Sequence, residues 1–338
     1  MDVARAIEAV FDRSDWPWIF TPDGTAPSSG SVTDGNWKLM VEPTTEGGVA
    51  GGKLSGIVFG DGMLDLRTIK SDSGLTLLSV GDSLFKSHAA ITGVRFNDEL
   101  RRIGGYAFYA SNVSSVQFGT DLTSFDERAF AHSCLGGTAD MSMCTNVTFF
   151  ASEVYHQCRY LEGLVLPPRL SALGWRAVAA CEQLKTVVCS EPPAAWAREM
   201  RDKPLALDAD AIGGLPALQT LELPCGGVVS IVNLRGTSSL TTLRINGKAP
   251  SSIGDVFTSW GSFPAQPAYQ LSIVVSPDRD RAGWEALKTR APTDEEKARA
   301  DYPGSRAFGV LDAPAGARAW LVWGSSIYKA PGSVLMIR

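Results

Sequence analysis

The chain has 338 residues, of which 44% are hydrophobic and 20% charged, and its formal net charge at pH 7 is −5. These values are ordinary for a folded protein, and the mild negative charge argues against a nucleic-acid partner, which would favour a clustered basic face. No segment approaches the run of about 18 apolar residues that a membrane helix needs, so we predict no membrane insertion.

The N-terminal segment is predicted to be mostly irregular. In residues 2–11, apolar residues recur at helical spacing with acidic residues between them. This pattern predicts a short amphipathic helix and no signal peptide. Residues 14–35 are rich in Pro, Gly, Ser and Asp, so we expect them to be irregular, with Trp16 and Trp18 holding them against the body of the protein. A strand is predicted over 37–41.

A glycine-rich stretch over 47–53 is similar to a phosphate-binding loop. Leu54 follows its lysine, at the position where Ser or Thr would meet magnesium, and a strand is predicted next in place of a helix. Without a helix N-terminus the anion site is lost. We therefore interpret this stretch as a flexible loop and predict no cofactor.

One short phrase recurs in the middle of the chain, over 100–108, 122–130 and 170–178. Its closing large apolar residue recurs at steps of 23, 22, 25 and 23 residues, at Phe85, Phe108, Phe130, Tyr155 and Val178. A unit this short cannot bury its own apolar side, so its copies must stack on a shared core. This predicts that the closing side chains form a regular column inside the molecule.

A second pattern, L-x-x-L-x-L, follows the phrase in most units, and its last part alternates as a half-buried strand does. The copies begin at Ile91, Val113, Leu161, Leu184, Leu218 and Leu240. A period of about 20–29 residues built on this pattern is typical of leucine-rich repeats. The stretches 54–59 and 64–69 are interpreted as imperfect first units.

The paired patterns resemble the BspA-like leucine-rich repeat family over about 75–245. The matching residues are the Ala-Phe pairs at 107–108 and 129–130, Cys158 and Cys181 three positions after the closing residue, and prolines at 167 and 224. The third unit departs from the pattern around 136–141, and the 34-residue step from Leu184 to Leu218 indicates an insertion near 192–196. The resemblance implies a repeat solenoid with short parallel strands and irregular or short helical turns.

The C-terminal region is predicted to be a small α+β region. Its elements are a strand over 269–275, a helix over 281–289, a capping box from Thr293 to Glu296, and strands over 319–323 and 334–337. We therefore divide the chain into an N-terminal helix, irregular segment and cap (1–53), the leucine-rich repeat solenoid (54–248), and a C-terminal α+β cap or appended small domain (249–338).

The cysteines and histidines do not predict a site. Among the six cysteines, Cys158 and Cys181 share one repeat position, so we favour buried reduced thiols, with a disulfide between these two as the alternative. The three histidines, His88, His132 and His156, lie at different offsets from the closing residue, so their side chains are expected to point in different directions. We predict no metal site and no catalytic residues.

Outward positions of the second pattern predict the binding surface. On parallel strands forming a single face, these positions hold Arg95, Gln117, Thr186, Val188, Thr220, Glu222, Thr242 and Arg244. This row is either an extended binding face of mixed polarity or an ordinary solvated sheet surface. No aromatic ladder lies along it, which weakens a sugar-stacking interpretation.

The sequence is compatible with three functions. The first is a non-catalytic protein-interaction or adhesion module that uses the repeat surface. The second is carbohydrate or cell-envelope binding through the Trp-rich end regions, with Trp16, Trp18, Trp37, Trp260, Trp284, Trp320 and Trp323. The third is a hydrolase with its site in the C-terminal region. The family resemblance implies a bacterial protein that is secreted or at the cell surface, whereas the missing signal peptide leaves a removed leader, another export route or an intracellular origin open.

Overall fold

The computed structural model describes residues 17–190, 200, 204–208, 210–223, 227–228, 236–249, 271–312 and 318–324. The predicted helix over 2–11, the insertion at 192–196 and the strand over 334–337 lie outside these residues. So do Trp16, Trp260 and Cys225.

The described residues are rich in strands and contain few helices. One sheet has, in spatial order, β1 (Ile19–Pro22), β2 (Gly30–Thr33), β3 (Trp37–Glu46), β4 (Val49–Gly60), β6 (Leu77–Val80), β8 (Arg102–Ile103), β10 (Ser124–Phe125), β12 (Phe149–Phe150), β14 (Ala172–Leu173), β17 (Pro204–Leu207) and β20 (Gly227–Val228). A second sheet has β5 (Gly62–Asp65), β7 (Ile91–Arg95) and β9 (Ser115–Gln117).

A third sheet has, in spatial order, β11 (Gly136–Asp140), β13 (Tyr160–Leu166), β16 (Thr186–Cys189), β19 (Thr220–Leu223), β21 (Thr242–Ile245), β22 (Leu271–Val275), β24 (Arg318–Trp323) and β23 (Ala307–Asp312). β15 (Val178–Ala179) pairs with β18 (Ile212–Gly213). The helices are α1 (Ile69–Ser73), α2 (Pro277–Leu287) and α3 (Asp294–Lys297), and a 3-10 turn covers Gly304–Arg306.

The strands of successive repeats pair in parallel, as a repeat fold requires. From β6 to β17 each short strand lies beside the equivalent strand of the next repeat, with Val80, Ile103, Phe125, Phe150, Leu173 and Leu207 in register. All but Leu207 of these six side chains are buried. The repeat spacing in the sequence therefore becomes a row of inward-facing side chains.

The predicted column of closing residues is confirmed. The rings of Phe85, Phe108, Phe130 and Tyr155 stack nearly parallel, with successive centroid distances of 5.0, 5.1 and 5.8 Å. All four rings are fully buried. Trp37 of β3 packs edge-on against Phe85 at 5.9 Å, so the N-terminal sheet covers one end of this aromatic column.

Each repeat turns through two residues in the left-handed region. The first position holds Ser83, Tyr106, Arg128, Glu153, Arg176 and Asp210, and the second holds Ser87, Ala110, His132, Gln157 and Ala180. A left-handed non-glycine residue costs about 1–2 kcal/mol. Backbone N–H groups at these positions donate to carbonyls of the next repeat, as Arg128 does to Ser152 at 3.0 Å and His132 to His156 at 2.8 Å. The hydrogen bonds between repeats offset the strain.

Replacing Ala110 with glycine should stabilise the protein. Ala110 is exposed at φ 53°, and glycine adopts this conformation without the Cβ clash, which we expect to raise the free energy of unfolding by about 1 kcal/mol. Ala89→Gly is the control, because exposed Ala89 has no positive φ and should lose about 0.4–1 kcal/mol. Urea unfolding of both variants measures the difference. An equal loss of unfolding free energy in Ala110→Gly and Ala89→Gly would contradict the strain argument.

The strands of the second pattern form two sheets, because the ladder is interrupted between β9 and β11. The two sheets still adjoin there, since the backbone N–H of Gly136 donates to the carbonyl of Ser114 at 3.0 Å. β9 ends the three-stranded sheet and β11 begins the next one. β11 covers the degraded third unit, where Gly137 has φ 59° and the pairing with β13 shifts register between Gly137 and Thr138. β11 is therefore irregular next to the point where the ladder is interrupted.

The N-terminal residues are more regular than predicted. β1 and β2 lie within 14–35 and pair antiparallel, so the expectation of an irregular segment is wrong there. Trp18 does hold the segment to the body, because its buried indole Nε1 donates to the carbonyl of Asp65 at 2.8 Å. β4 pairs antiparallel with β3 and parallel with β6, which joins this hairpin sheet to the repeats.

The glycine-rich stretch over 47–53 is part of a hairpin, so its interpretation as a flexible loop is wrong. Gly47 and Gly48 form the turn at φ 55° and 79°, as a two-residue type I′ hairpin turn requires, and β4 begins directly after them. The guanidinium of Arg101 donates to the carbonyl of Glu46 at 3.1 Å, which holds the tip of the hairpin against the repeats.

Strands of the C-terminal region continue the third sheet. β22 pairs in parallel with β21 and β24, and β23 adds antiparallel at the edge. α2 begins four residues before the predicted helix, because Pro277 starts it and Ser276 caps it. The predicted capping box is confirmed, with Thr293 and Glu296 each accepting from the other's backbone N–H.

Cys158 and Cys181 are free thiols, as the favoured interpretation predicted. The Cys158 thiol donates to the carbonyl of Phe130 at 3.2 Å, and the Cys181 thiol to that of Tyr155 at 3.0 Å. Burial raises the pKa of Cys158 to about 12. Both thiols therefore join one repeat to the preceding one as neutral donors.

Candidate interaction surfaces

The eight predicted binding residues occupy two sheets. Arg95 and Gln117 lie on β7 and β9, and the other six lie on β16, β19 and β21 of the third sheet. We call these six residues the strand face: Thr186, Val188, Thr220, Glu222, Thr242 and Arg244. All six are half-buried, and Gln117 is exposed. The structure thus groups six of the residues and separates Arg95 and Gln117 from them.

Threonines form a straight row on the strand face. Thr186 pairs in register with Thr220, and Thr220 with Thr242. Gly163 precedes Thr186 in the same row, and a Cβ at that glycine would lie 2.7 Å from the Thr138 hydroxyl oxygen and 3.2 Å from that of Thr186. Short, closely spaced side chains make this part of the sheet flat, so it can contact a flat partner through hydroxyl and methyl groups.

The row of the strand face next to the threonines holds Val188, Glu222 and Arg244, and it ends in an ion pair. The Arg244 guanidinium Nε lies 2.9 Å from the Glu222 carboxylate, which also accepts from the backbone N–H of Cys189 at 3.3 Å. Val165 and Val188 pair in register on the adjacent strands. The row therefore passes from aliphatic to charged, whereas Arg95, on the other sheet, contacts Asp65 at 3.2 Å.

A second surface, which we name the turn ridge, lies along the left-handed turns. Its members come from five successive turns: Lys86, Tyr106, Tyr109, Arg128, His132, Glu153, His156, Trp175 and Arg176. The Lys86 ammonium lies 5.3 Å from the Tyr106 ring centroid and 5.5 Å from that of Tyr109. The Arg176 guanidinium lies 4.5 Å from the Trp175 ring centroid. Cation–π contacts thus link charged and aromatic groups along the ridge.

Arg128 is fixed at the centre of the turn ridge. Its guanidinium donates to the Glu153 carboxylate and to the Tyr106 hydroxyl, and it lies 5.4 Å from the Tyr106 ring centroid. The Glu153 side chain is buried. Burial alone would raise the pKa of Glu153, but the hydrogen bond from Arg128 and the nearby charges of Arg128, His156 and Arg176 together lower it. Glu153 therefore stays ionised as the anchor of this group.

The rings of His132 and His156 come close together, although His132 is exposed and His156 is buried. Their ring centroids are 5.6 Å apart, and His132 lies 5.1 Å from the Tyr109 ring. Ala131 occupies the repeat position between Tyr109 and His156 and is buried. His88 lies elsewhere, against Trp37 at 5.6 Å.

The imidazole of His156 is 9% exposed, and its Nδ1 has no hydrogen-bond partner among the described residues. Burial lowers the pKa of His156, and the nearby Glu153 carboxylate opposes this only in part. Burial also lowers the pKa of His132 and His88. In the part of the chain that the structure describes, no three His, Cys, Asp or Glu side chains cluster as a metal would need.

A family model described as a BspA type leucine rich repeat region matches residues 78–194 in six copies. Residues 78–194 belong to the BspA type leucine-rich repeat family. This region is shorter than the 75–245 over which the sequence shows the resemblance. It contains the aromatic column and the whole turn ridge, whereas the strand face extends past it to β21.

Solved structures of bacterial proteins are similar to the chain at low identity. A leucine-rich repeat protein from Bacteroides ovatus is 13% identical, with 74% of this chain and 76% of that one covered and a TM-score of 0.32. The pneumococcal vaccine antigen PcpA is 14% identical, with coverages of 74% and 94% and a TM-score of 0.27. A leucine rich cell surface protein from Faecalibacterium prausnitzii is 15% identical, with coverages of 89% and 96% and a TM-score of 0.28. A comparison with curated proteins gives no match.

The BspA type repeats should lose stability as the pH falls from 7.5 to 5.5. An unfolded histidine takes up a proton near its ordinary pKa of 6.5, whereas folded His156 does so only at lower pH, so protonation favours unfolding across this window. Each unit of pKa difference is worth about 1.4 kcal/mol. Urea midpoints at the two pH values measure the loss, and His156→Gln should reduce it. A wild-type midpoint that does not move would contradict the prediction.

The tryptophans that flank the BspA type repeats within the described residues offer little to a sugar. Trp18, Trp37, Trp284 and Trp320 are buried, and half-buried Trp323 stacks on Phe308 at 3.7 Å. Trp175, inside the repeats, is 39% exposed, but Arg176 lies over its ring. Stacking on a sugar requires an open indole face, which these buried rings lack.

No helix within the described residues combines the length and the apolar character that spanning a membrane would require.

Proposed function

We propose that this chain is a non-catalytic protein-interaction or adhesion module whose strand face contacts a protein partner. The observation that carries the proposal is the in-register row across β16, β19 and β21, where three threonines lie side by side. Threonine, valine and one internal ion pair are groups suited to contact, not to acid–base chemistry. The BspA type repeats support binding, and by that family resemblance we place the protein at the cell surface or outside the cell.

We propose further that the repeats form one solenoid whose ends are covered by residues 1–53 and 249–338. A repeat array must hide its terminal apolar faces. Antiparallel strands support this at both ends: β1–β4 continue into β6, and β23 pairs antiparallel beside β24. β4 extends across residue 53, so this first cap and the first repeat share a strand.

The test of the strand face uses a charged double variant. Thr186→Glu with Thr242→Glu places two carboxylates on the threonine row, and Thr123→Glu with Asn146→Glu adds the same charge at exposed positions outside the strand face and the turn ridge. Each protein carries a photo-crosslinker and is incubated with intact cells from the source habitat, and its cross-linked proteins are identified by mass spectrometry. We expect one set of surface proteins for the wild type and the control, and its loss from the strand-face variant.

Other outcomes would overturn the proposal. Cross-linked proteins that are unchanged in the strand-face variant would show that this face is not the contact. Retention on a glycan array without any protein cross-link would favour the carbohydrate alternative. Turnover of a hydrolase substrate above the blank would favour an enzyme.

A further inference from the structure

The turn ridge has the residue types that dominate protein interfaces. Its outward members include Tyr106, Tyr109, Trp175, Arg128 and Arg176, and binding hot spots are enriched in Trp, Tyr and Arg. Trp175 and His132 are exposed, and both tyrosines are half-buried. The strand face has none of these aromatic residues. The two surfaces therefore differ in what they can contact.

Among the described residues, neither end cation of the turn ridge forms an ion pair with a carboxylate. Arg176 interacts with Glu153 only at longer range, and Glu153 is already paired with Arg128. Lys86 contacts the rings of Tyr106 and Tyr109, and Arg176 contacts the ring of Trp175. Other repeat cations behave differently, since Lys185 pairs with Glu162 at 2.9 Å and Arg102 with Asp82 at 2.9 Å. Lys86 and Arg176 thus retain donors for an outside acceptor.

The centre of the turn ridge is held rigidly. Arg128 and Glu153 form an ion pair from two left-handed positions, and the carboxylate of this pair is buried. The backbone of each turn is hydrogen-bonded to the next, as Tyr106 N–H is to the carbonyl of Glu127 at 2.9 Å. A surface that is already ordered loses little side-chain freedom on binding, which favours affinity.

The spacing of the end cations defines the shape of an occupant. Lys86 and Arg176 lie four repeats apart, and neighbouring strands are about 4.8 Å apart, so the two cations are separated by about 19 Å. An extended chain advances about 3.3 Å per residue, so carboxylates about six residues apart would reach both cations. Side chains between them would cover Tyr109, His132 and Trp175.

We propose that the turn ridge is a docking surface for an acidic, extended segment of a protein partner. Carboxylates of that segment bind Lys86 and Arg176, and its intervening residues pack on the exposed rings. Charge complementarity selects this occupant, because neither end cation forms an ion pair with a described carboxylate and the one carboxylate of the ridge, Glu153, is already paired with Arg128. The ridge is separate from the strand face, so this proposal stands or falls independently of the proposed function.

The experiment measures binding of fluorescent poly-L-glutamate of about 30 residues to the full chain at pH 7.5 and 0.15 M NaCl, a salt concentration at which the net charge of −5 is screened beyond about 8 Å. The ridge variant is Lys86→Gln with Arg176→Gln. The matched control is Lys70→Gln with Lys185→Gln, which removes the same charge from exposed positions elsewhere. Thermal unfolding of each variant confirms that the fold is retained.

We expect the ridge variant to bind poly-L-glutamate at least about tenfold more weakly than the wild type, since 1.4 kcal/mol of lost contact energy corresponds to tenfold. The control should change by less than about twofold. A second ridge variant, Tyr109→Ser with Trp175→Ser, should also weaken binding, which mere charge attraction would not predict. A strand-face variant with Thr186→Glu and Thr242→Glu should bind as the wild type does.

Three results would overturn the proposal: no binding of poly-L-glutamate to the wild type, equal losses in the ridge and control variants, or binding of heparin in preference to poly-L-glutamate with loss in the ridge variant. The last result would assign the ridge to an anionic saccharide. None of them affects the strand-face test, which uses different residues and a different readout.

Discussion

Phe108→Ala should lower the free energy of unfolding by about 3–5 kcal/mol, the range for truncating a buried phenylalanine. Phe108 is fully buried between Phe85 and Phe130, with ring centroids at 5.0 and 5.1 Å, and Phe96 packs edge-on at 5.9 Å. Removing the ring leaves a cavity that faces both neighbouring repeats. Since a repeat is stabilised mainly by its neighbours, the loss also weakens coupling along the array.

Urea unfolding followed by circular dichroism measures the effect of Phe108→Ala, both as a lower midpoint and as a shallower transition. Phe149→Ala is the matched control, because Phe149 is 49% exposed on β12 and its truncation should change stability by about 0.5 kcal/mol. A Phe108→Ala protein within 1 kcal/mol of the wild type would contradict the stacked column.

Trp37→Ala should have an effect of similar size, about 3–5 kcal/mol. The indole of Trp37 is fully buried against Phe85 and His88, and its Nε1 donates to the carbonyl of Met63 at 3.1 Å. Truncation uncovers the first ring of the column and leaves that carbonyl without its donor. The N-terminal sheet should then separate from the repeats at lower denaturant concentration than the repeats unfold.

Hydrogen exchange resolved by mass spectrometry checks the Trp37→Ala prediction, because β1–β4 should lose protection before β8–β14. Met40→Ala, on the same strand with 40% of its side chain exposed, is the control and should leave protection unchanged. Uniform loss of protection across all strands in Trp37→Ala would contradict a cap that separates first.

The stacked repeats could be predicted from the sequence because their signal is periodic. Phe85, Phe108, Phe130 and Tyr155 recur at nearly constant steps, and stacking of equal units then brings equal positions together. The capping box at Thr293 was also predictable, because its chemistry is local. The role of Trp18 in holding its segment to the body of the protein could also be predicted, because a large indole in a polar segment tends to be buried.

The features that the sequence did not predict depend on contacts across repeats. β1 and β2 have polar residues and turn formers, and only pairing with β3 makes them strands. The ladder is interrupted between β9 and β11, next to a register shift at Gly137, and this irregularity has no periodic signature. These are tertiary effects that override local propensity.

The turn ridge was missed for a related reason. Offsets from the closing residue place His132 and His156 at different positions, and that placement is correct. The two rings nevertheless meet, because they lie on neighbouring repeats that stack on each other. The usable signal was the run of Tyr, Arg and Trp at the first left-handed position and its neighbours, but a left-handed backbone at non-glycine residues has no clear mark in the sequence.

The hydrogen bonds between turns have a mechanical consequence. Donors at the left-handed positions connect each repeat only with the next, as Glu153 N–H does with the carbonyl of Trp175 at 2.9 Å. A force applied to one end would therefore act on one pair of adjacent repeats at a time. The repeats would separate one after another, each with a small extension. Such a chain lengthens gradually under shear and absorbs work instead of rupturing in one event.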